Sequence, residues 1–211
     1  AAKLASESFE DLPSALQQPP NAQNSYLYAS DGKTVITQFY AENRTDVSDE
    51  EIAKVMKDAM VAAEDTRFYD HGGVDLKGLL RAFVSNAQNG TATQGASTLT
   101  MQYVRNVLKN DPTVTAEERK AATEQTTGRK LQEIRFALSI EDELEKPEIL
   151  RRYLNIAYFG ANAYGVAAAA NAYFSTTADK LTLGQAAMIA GMVKSPDEYD
   201  PTKTDGGEAL G

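Results

Sequence analysis

Apolar positions recur at helical spacing along most of this chain. Ile52, Val55, Met56, Ala59, Met60 and Ala63 share one helical face. Ser48-Asp-Glu-Glu51, just before them, has the form of a capping box with acids where the helix dipole favours them. Leu76, Leu79, Leu80, Phe83 and Val84 predict a second helix over residues 75–87. A third starts near Ser97 or Thr98 and carries Leu99, Val104, Val107 and Leu108. A fourth is expected over 128–145, and Lys146-Pro147 opens another over 148–157, proline being suited to a first turn. Ala-rich helical stretches follow at 163–173 and 182–193; the latter opens with a capping box, Thr182-Leu-Gly-Gln185, and stops at Pro196.

One region departs from this periodicity. Tyr26 to Ala29 and Lys33 to Phe39 flank Ser30-Asp31-Gly32 and read as a small β-hairpin. Residues 1–24 are polar, with Pro19-Pro20, and read as a linker or arm. Residues 25–202 form the folded body (hairpin 25–40, helical body 48–196), and 203–211 read as a second linker. Small polar residues over 89–98 suit a loop, and the polar segment 109–127 a surface excursion. The fold class is mainly α with a hairpin at its start.

Composition narrows the function. With 211 residues, 42% apolar, the chain supports one large domain or one domain with an appendage. A net charge of −9 argues against non-specific nucleic-acid binding. Without cysteine, neither disulfides nor thiolate metal sites can form, which is compatible with an extracytoplasmic location without demanding one. No apolar run reaches the length of a spanning helix. The start without Met and the trailing Asp205-Gly-Gly-Glu-Ala-Leu-Gly211 read as an excised portion of a longer protein, with any anchor upstream of Ala1.

Three polar clusters carry candidate chemistry. The first is Glu64, Asp65, Arg67, Phe68, His71 and Gly72, where the apolar stripe ends. A carboxylate there is partly desolvated and suited to general-base work; the bland alternative is a solvated ion pair. His71 alone cannot build a zinc site and could instead hold the turn before Gly72. The second cluster is Gln94, Ser97, Thr98, Thr100 and Gln102, with Arg105 a turn later. Hydroxyls at a helix start can bind phosphate oxygens or simply cap the helix. In the third, Arg129 and Lys130 lie one turn before Glu133, on a side continued by Ala137, Ile140 and Leu144. Inward-facing cations are costly unless they neutralise something, and an anionic ligand would do so; surface pairing is the alternative. Two separated carboxylates suggest glycosyl chemistry, and the cations a phosphate leaving group.

In order, these motifs resemble the peptidoglycan glycosyltransferase domain of class A penicillin-binding proteins and monofunctional cell-wall glycosyltransferases. Glu64-Asp-Thr-Arg-Phe-Tyr-Asp-His-Gly72 looks like the family's first motif, Gly95-Ala-Ser-Thr-Leu-Thr-Met-Gln102 its second and Arg129-Lys-Leu-Gln-Glu133 its third. Lys146-Pro-Glu-Ile-Leu-Arg-Arg-Tyr-Leu-Asn155 with Phe159-Gly160 looks like the fourth, and Leu181 to Gly191 with Pro196 the fifth. Met101 stands where the family often has glutamine, and Arg105 where lysine is common, so a fork replaces a point charge.

The resemblance implies a lysozyme-like, two-lobed helical domain whose jaw lobe contacts the bilayer, with part of the 76–84 stripe exposed to lipid. It implies polymerisation of lipid II into β-1,4 glycan strands at the outer face of the cytoplasmic membrane, in the bacterial cell envelope. Glu64 would act as general base and Glu133 would support the donor site. Asp65, Phe68, His71, Gln94, Ser97, Thr98, Gln102, Arg105, Arg129 and Lys130 would hold the substrates and diphosphate. No cofactor is required, no residue is assigned to a metal, and stimulation by a divalent cation (Mg or Mn) is left open. The implied partners are lipid II, the growing strand, the membrane surface and a transpeptidase domain C-terminal to this chain. Lys-Thr-Gly is absent, so β-lactam acylation by these residues is not expected. A lysozyme-like glycan hydrolase and a non-catalytic glycan-binding scaffold are the alternative functions.

Overall fold

The computed structural model describes residues 12–13, 15–75, 97–111, 113, 115–121 and 126–203. The helix expected over 75–87, the loop 89–96 and Gln94 therefore lie outside the described residues, apart from Asp75 itself. The described chain is mostly helical with one small sheet, as its periodicity predicts. It divides into two compact units, one of residues 1–19 and 64–150, the other of 20–63 and 151–211.

In the first unit, α2 (Leu99–Asn110) and α4 (Thr127–Glu143) pack together, with the short helix α3 (Ala116–Ala121) between them in sequence. Threonine starts both long helices. Thr98 Oγ1 accepts from Met101 N at 3.2 Å, and Thr126 Oγ1 accepts from Arg129 N at 3.2 Å. Leu99, Met101, Val104 and Val107 of α2 and Phe136, Ala137 and Ile140 of α4 are buried, along with Phe68 and Ile149. The polar segment 109–127 contains α3, so its described part is not wholly irregular. The arm is also tied down: Tyr103 Oη donates to Gln18 Oε1 at 2.7 Å and Gln132 Nε2 to the Pro13 carbonyl at 3.0 Å.

The second unit begins with an antiparallel hairpin of β1 (Ser25–Tyr28) and β2 (Val35–Phe39), in register from Ser25 opposite Phe39 to Tyr28 opposite Val35. Asp31 closes its turn, Oδ1 accepting from Lys33 N and Thr34 N, both at 2.8 Å. A bond from the Thr34 hydroxyl, with these two backbone bonds, holds the Asp31 carboxyl down at about 2. Gly32 takes the positive φ of 66° that the turn requires. Ser30 and Lys33 have Ser-x-x-Lys spacing, but both are exposed in this turn and carry no acylation site.

Helix α1 (Lys54–Glu64) starts later than its capping box suggests. The box is half formed, Ser48 N donating to Glu51 Oε2 at 2.9 Å. The Ala53 N–H then leaves the helical pattern for the carbonyl of Ala178, at 3.0 Å. Regular helix begins only after that diversion, with Met56 and Met60 buried. Helix α5 (Lys146–Ile156) has Pro147 in its first turn. Asn155 clasps the backbone of Val47 in both directions, each at 2.9 Å. Gly165, at φ 82°, passes so close to Asn155 that a Cβ would stand 2.6 Å from its carbonyl oxygen. Helix α6 (Val166–Phe174) buries Ala168, Ala169 and Ala170, and α7 (Leu183–Met192) starts with the predicted Thr182–Gln185 capping box. No described helix is long and apolar enough to cross a membrane.

Candidate active site

Members of the first two sequence clusters, Glu64, Asp65, His71, Thr98 and Gln102, come together in the first unit. Glu64 ends α1, half-buried, and its Oε2 accepts from Gln102 Nε2 at 2.8 Å. Asp65 is buried and divides its oxygens: Oδ1 meets His71 Nε2 at 2.8 Å, and Oδ2 accepts from the Leu99 backbone N at 3.1 Å. The second bond satisfies an N–H left open at the start of α2, where a negative charge is favoured. His71 Nδ1 also meets the Gly72 carbonyl, in keeping with its suggested turn-holding role. Thr98 Oγ1 donates to the Gly73 carbonyl at 2.8 Å. Gly73 sits so close to α4 that a Cβ would lie 2.5 Å from the Ala137 carbonyl oxygen. Thus Asp65, His71 and Thr98 join the end of α1 to the start of α2, and this leaves Glu64 placed beside Gln102.

Phe68 is fully buried, under the ammonium of Lys146, whose Nζ lies 4.4 Å from the ring centroid. Lys146 also donates to Glu141 Oε1 at 2.8 Å, and the Thr100 hydroxyl bonds the same oxygen. Arg67 pairs with Asp75, outside its own cluster. Sequence reasoning missed the parts played by Glu141, Lys146 and Asp75. Glu141 and Lys146 straddle the break between α4 and α5, where helical spacing gives no signal. The close approach of Gly73 to α4 is visible only in the fold.

The third cluster gathers around Glu133, whose side chain is 0% exposed. Arg105 Nε reaches Oε1 at 2.8 Å and Nη2 reaches Oε2 at 3.1 Å, a two-bond fork. Arg129 bonds Oε1 from one turn earlier, and Lys130 Nζ lies 3.8 Å from Oε2. Lys130 Nζ also donates to Ser97 Oγ at 2.5 Å, and Arg105 Nη2 to the same hydroxyl at 3.4 Å. The interior cations expected from the sequence are therefore neutralised in part by a carboxylate of their own helix. Among the described residues, three cations gather on this one carboxylate, adjoining Ser97. Burial pushes the Lys130 ammonium below the ordinary lysine value; Glu133 opposes that shift and the two arginines add to it.

The described structure thus brings together Glu64, Asp65, His71, Thr98 and Gln102 in one assembly, and Ser97, Arg105, Arg129, Lys130 and Glu133 in another. Both lie in the same unit and both are carried on α2. Phe68 is a core residue beneath the first. Among the described residues, no group of three His, Cys, Asp or Glu could hold a metal ion.

Comparison with known proteins identifies the family. A transglycosylase family model matches residues 31–209, and the chain belongs to that family. The resemblance to peptidoglycan glycosyltransferase domains is borne out, with an enzyme's family in place of a scaffold's. Among similar proteins, penicillin-binding protein 1A of Escherichia coli (strain K12) is 42% identical over 175 residues, covering 83% of this chain and 19% of that protein. Penicillin-binding protein 1A of Neisseria flavescens is 40% identical over 176 residues (83% and 20%). Penicillin-binding protein 1A/1B of Bacillus subtilis (strain 168) is 40% identical over 181 residues (85% and 18%). The chain spans about a fifth of the length of these curated relatives.

Proposed function

We propose that this chain polymerises lipid II into β-1,4-linked glycan strands, with Glu64 as general base. The acceptor sugar's 4-hydroxyl loses its proton to Glu64. Its oxygen attacks the anomeric carbon of the lipid-linked strand from the face opposite the diphosphate. The new C1–O4 bond forms as the C1–O bond to diphosphate breaks, the anomeric configuration inverts, and undecaprenyl diphosphate leaves. No metal is required by this scheme; a divalent cation such as Mg or Mn would add screening of the diphosphate.

The observation that carries this reading is the cationic group of Arg105, Arg129 and Lys130 around one buried carboxylate, in the same unit as Glu64. A leaving diphosphate gains negative charge as its bond to C1 breaks. Preorganised cations lower the energy of that charge most where water is scarce. Glu133 orders the three cations, a supporting role that needs no proton transfer. Ser97, bonded to Lys130 and Arg105, offers its hydroxyl at the same place. A glycan hydrolase has no anionic leaving group of this kind and no need for the cations.

The same reading places the reaction in the cell envelope, at the outer face of the cytoplasmic membrane, where the bilayer presents the lipid-linked substrate. A membrane-facing jaw surface, an anchor and a transpeptidase region belong to this proposal for the whole protein. The test is incubation with labelled lipid II in detergent, with glycan polymer and released undecaprenyl diphosphate measured together. Equimolar appearance of new glycosidic bonds and released diphosphate supports the proposal. Cleavage of preformed glycan with no consumption of lipid II would replace it with the hydrolase.

A further inference from the structure

The second unit contains a cavity of about 420 Å³, within the range of about 300–1,000 Å³ typical of small-ligand sites. All of its described lining belongs to that unit, whereas Glu64 and Glu133 belong to the other. Its chemistry differs from that of the cationic cluster. Among the described residues, no lysine, arginine or histidine lines it. Glu51 and Asp179 do, so an anionic ligand would meet only repulsion. The remaining polar lining is neutral: the carboxamides of Asn24, Gln38, Asn43 and Asn171, with threonine hydroxyls.

Part of this lining is fixed and part is free. Asn24 donates to Asn43 Oδ1 at 2.8 Å and accepts from Arg44 N at 2.9 Å, tying the base of the hairpin to the following segment. The Asn43 carbonyl accepts from Tyr164 N at 3.0 Å, anchoring that segment in turn. Gln38, Asn171 and Thr177 make no side-chain hydrogen bond to any described residue. These groups offer uncharged donors and acceptors on a preorganised frame, the arrangement that lowers the ordering cost of binding. Tyr26, 41% exposed, adds an aromatic ring to the wall, and Ala167 and Ala168 add small apolar surface.

We infer that this cavity is a saccharide-binding site that takes a neutral pyranose bearing hydroxyl and acetamido groups. Amides and hydroxyls pair with such a ligand's polar edge without charge, and the Tyr26 ring and alanines accept its C–H face. The uncharged, hydroxyl-bearing character of the ligand rests on this lining and goes beyond the catalytic reading. Failure of polymerisation would leave this inference standing.

The test is a titration of the ¹⁵N-labelled chain with a tetramer of β-1,4-linked N-acetylglucosamine, followed by NMR, and in parallel with a short lysine-rich peptide. Saturable shifts are expected at the backbone amides of Gln38, Asn171 and Thr177. Asn171→Ala and Gln38→Ala should each weaken the oligosaccharide about tenfold, the loss of a ligand hydrogen bond or two, with lipid II turnover unchanged. The inference is overturned if those amides do not move, if shifts appear only around Glu64 and Ser97, if both variants bind as the parent does, or if the peptide binds in place of the sugar.

Discussion

Gln102 donates a 2.8 Å hydrogen bond from Nε2 to Oε2 of Glu64. The two residues are 38 positions apart, and the contact depends on Asp65 accepting from Leu99 N at the start of the same helix. Gln102 therefore fixes the direction of the carboxylate proposed to take the acceptor's proton. A hydrogen bond to a charged group contributes about 1.5–3 kcal/mol, roughly ten- to a hundredfold in a rate that depends on it. Gln102→Ala should lower kcat for lipid II by that factor with thermal stability near the parent's. An unchanged kcat would remove Gln102 from the positioning of Glu64.

Glu133 is the shared counter-charge of three cations. Glu133→Ala removes the counter-charge that these partly buried cations share. Breaking a buried pair in this way costs about 3–5 kcal/mol, and urea unfolding should show a loss of that order. Arg105→Ala should cost less, because Arg129 and Lys130 remain beside the carboxylate and Arg105 is itself a third exposed, at 35%. Equal losses from the two substitutions would contradict this arrangement.

Gly73 is required by space. A Cβ at this position would stand 2.5 Å from the Ala137 carbonyl oxygen and 2.8 Å from the Leu138 nitrogen, both main-chain atoms of α4 that cannot swing aside. Gly73→Ala should lose about 1–3 kcal/mol, typical of overpacking, and should also disturb the Thr98 bond to the Gly73 carbonyl. Gly72→Ala is the control, since nothing lies within 4 Å of the place its methyl group would occupy. Paired thermal melts decide the matter, and equal midpoints would contradict the close approach.

Lys130 carries a pH prediction. Its folded-state pKa lies below the ordinary 10.5, mainly through burial. In the folded state the charged form is disfavoured, so the penalty is fully present below the folded pKa. It diminishes as pH rises through that value and is gone above the unfolded one. Binding of an anion such as pyrophosphate should weaken over the same rise, beginning below pH 10.5. NMR titration of the Lys130 side-chain resonances checks this: its midpoint should fall below 10.5.

Much of the fold was legible because periodicity reports it directly. The Thr182–Gln185 capping box and the Asp31 turn formed as read. The start of α1 was misplaced because the Ala53 N–H finds its partner in Ala178, a long-range bond with no local sign. In the site, the Arg129–Glu133 pairing followed from helical spacing. That Arg105 would also serve Glu133, or that Asp65 would reach Leu99, depends on the packing of α2 against its neighbours. Phe68 is fully buried beneath Lys146, a position the sequence did not show because an aromatic in a polar run can serve the core as readily as the surface.

The most direct test of the account is single-turnover and steady-state polymerisation of lipid II by Glu64→Gln beside the parent chain, with lipid II binding measured on both. The substitution keeps the shape and the hydrogen-bonding reach to Gln102 but removes the base. Loss of general-base catalysis should lower turnover by about 10²–10⁴-fold while binding stays within a few-fold of the parent. Turnover near the parent's, with the variant folded and binding substrate, would contradict the assignment of Glu64 as the base.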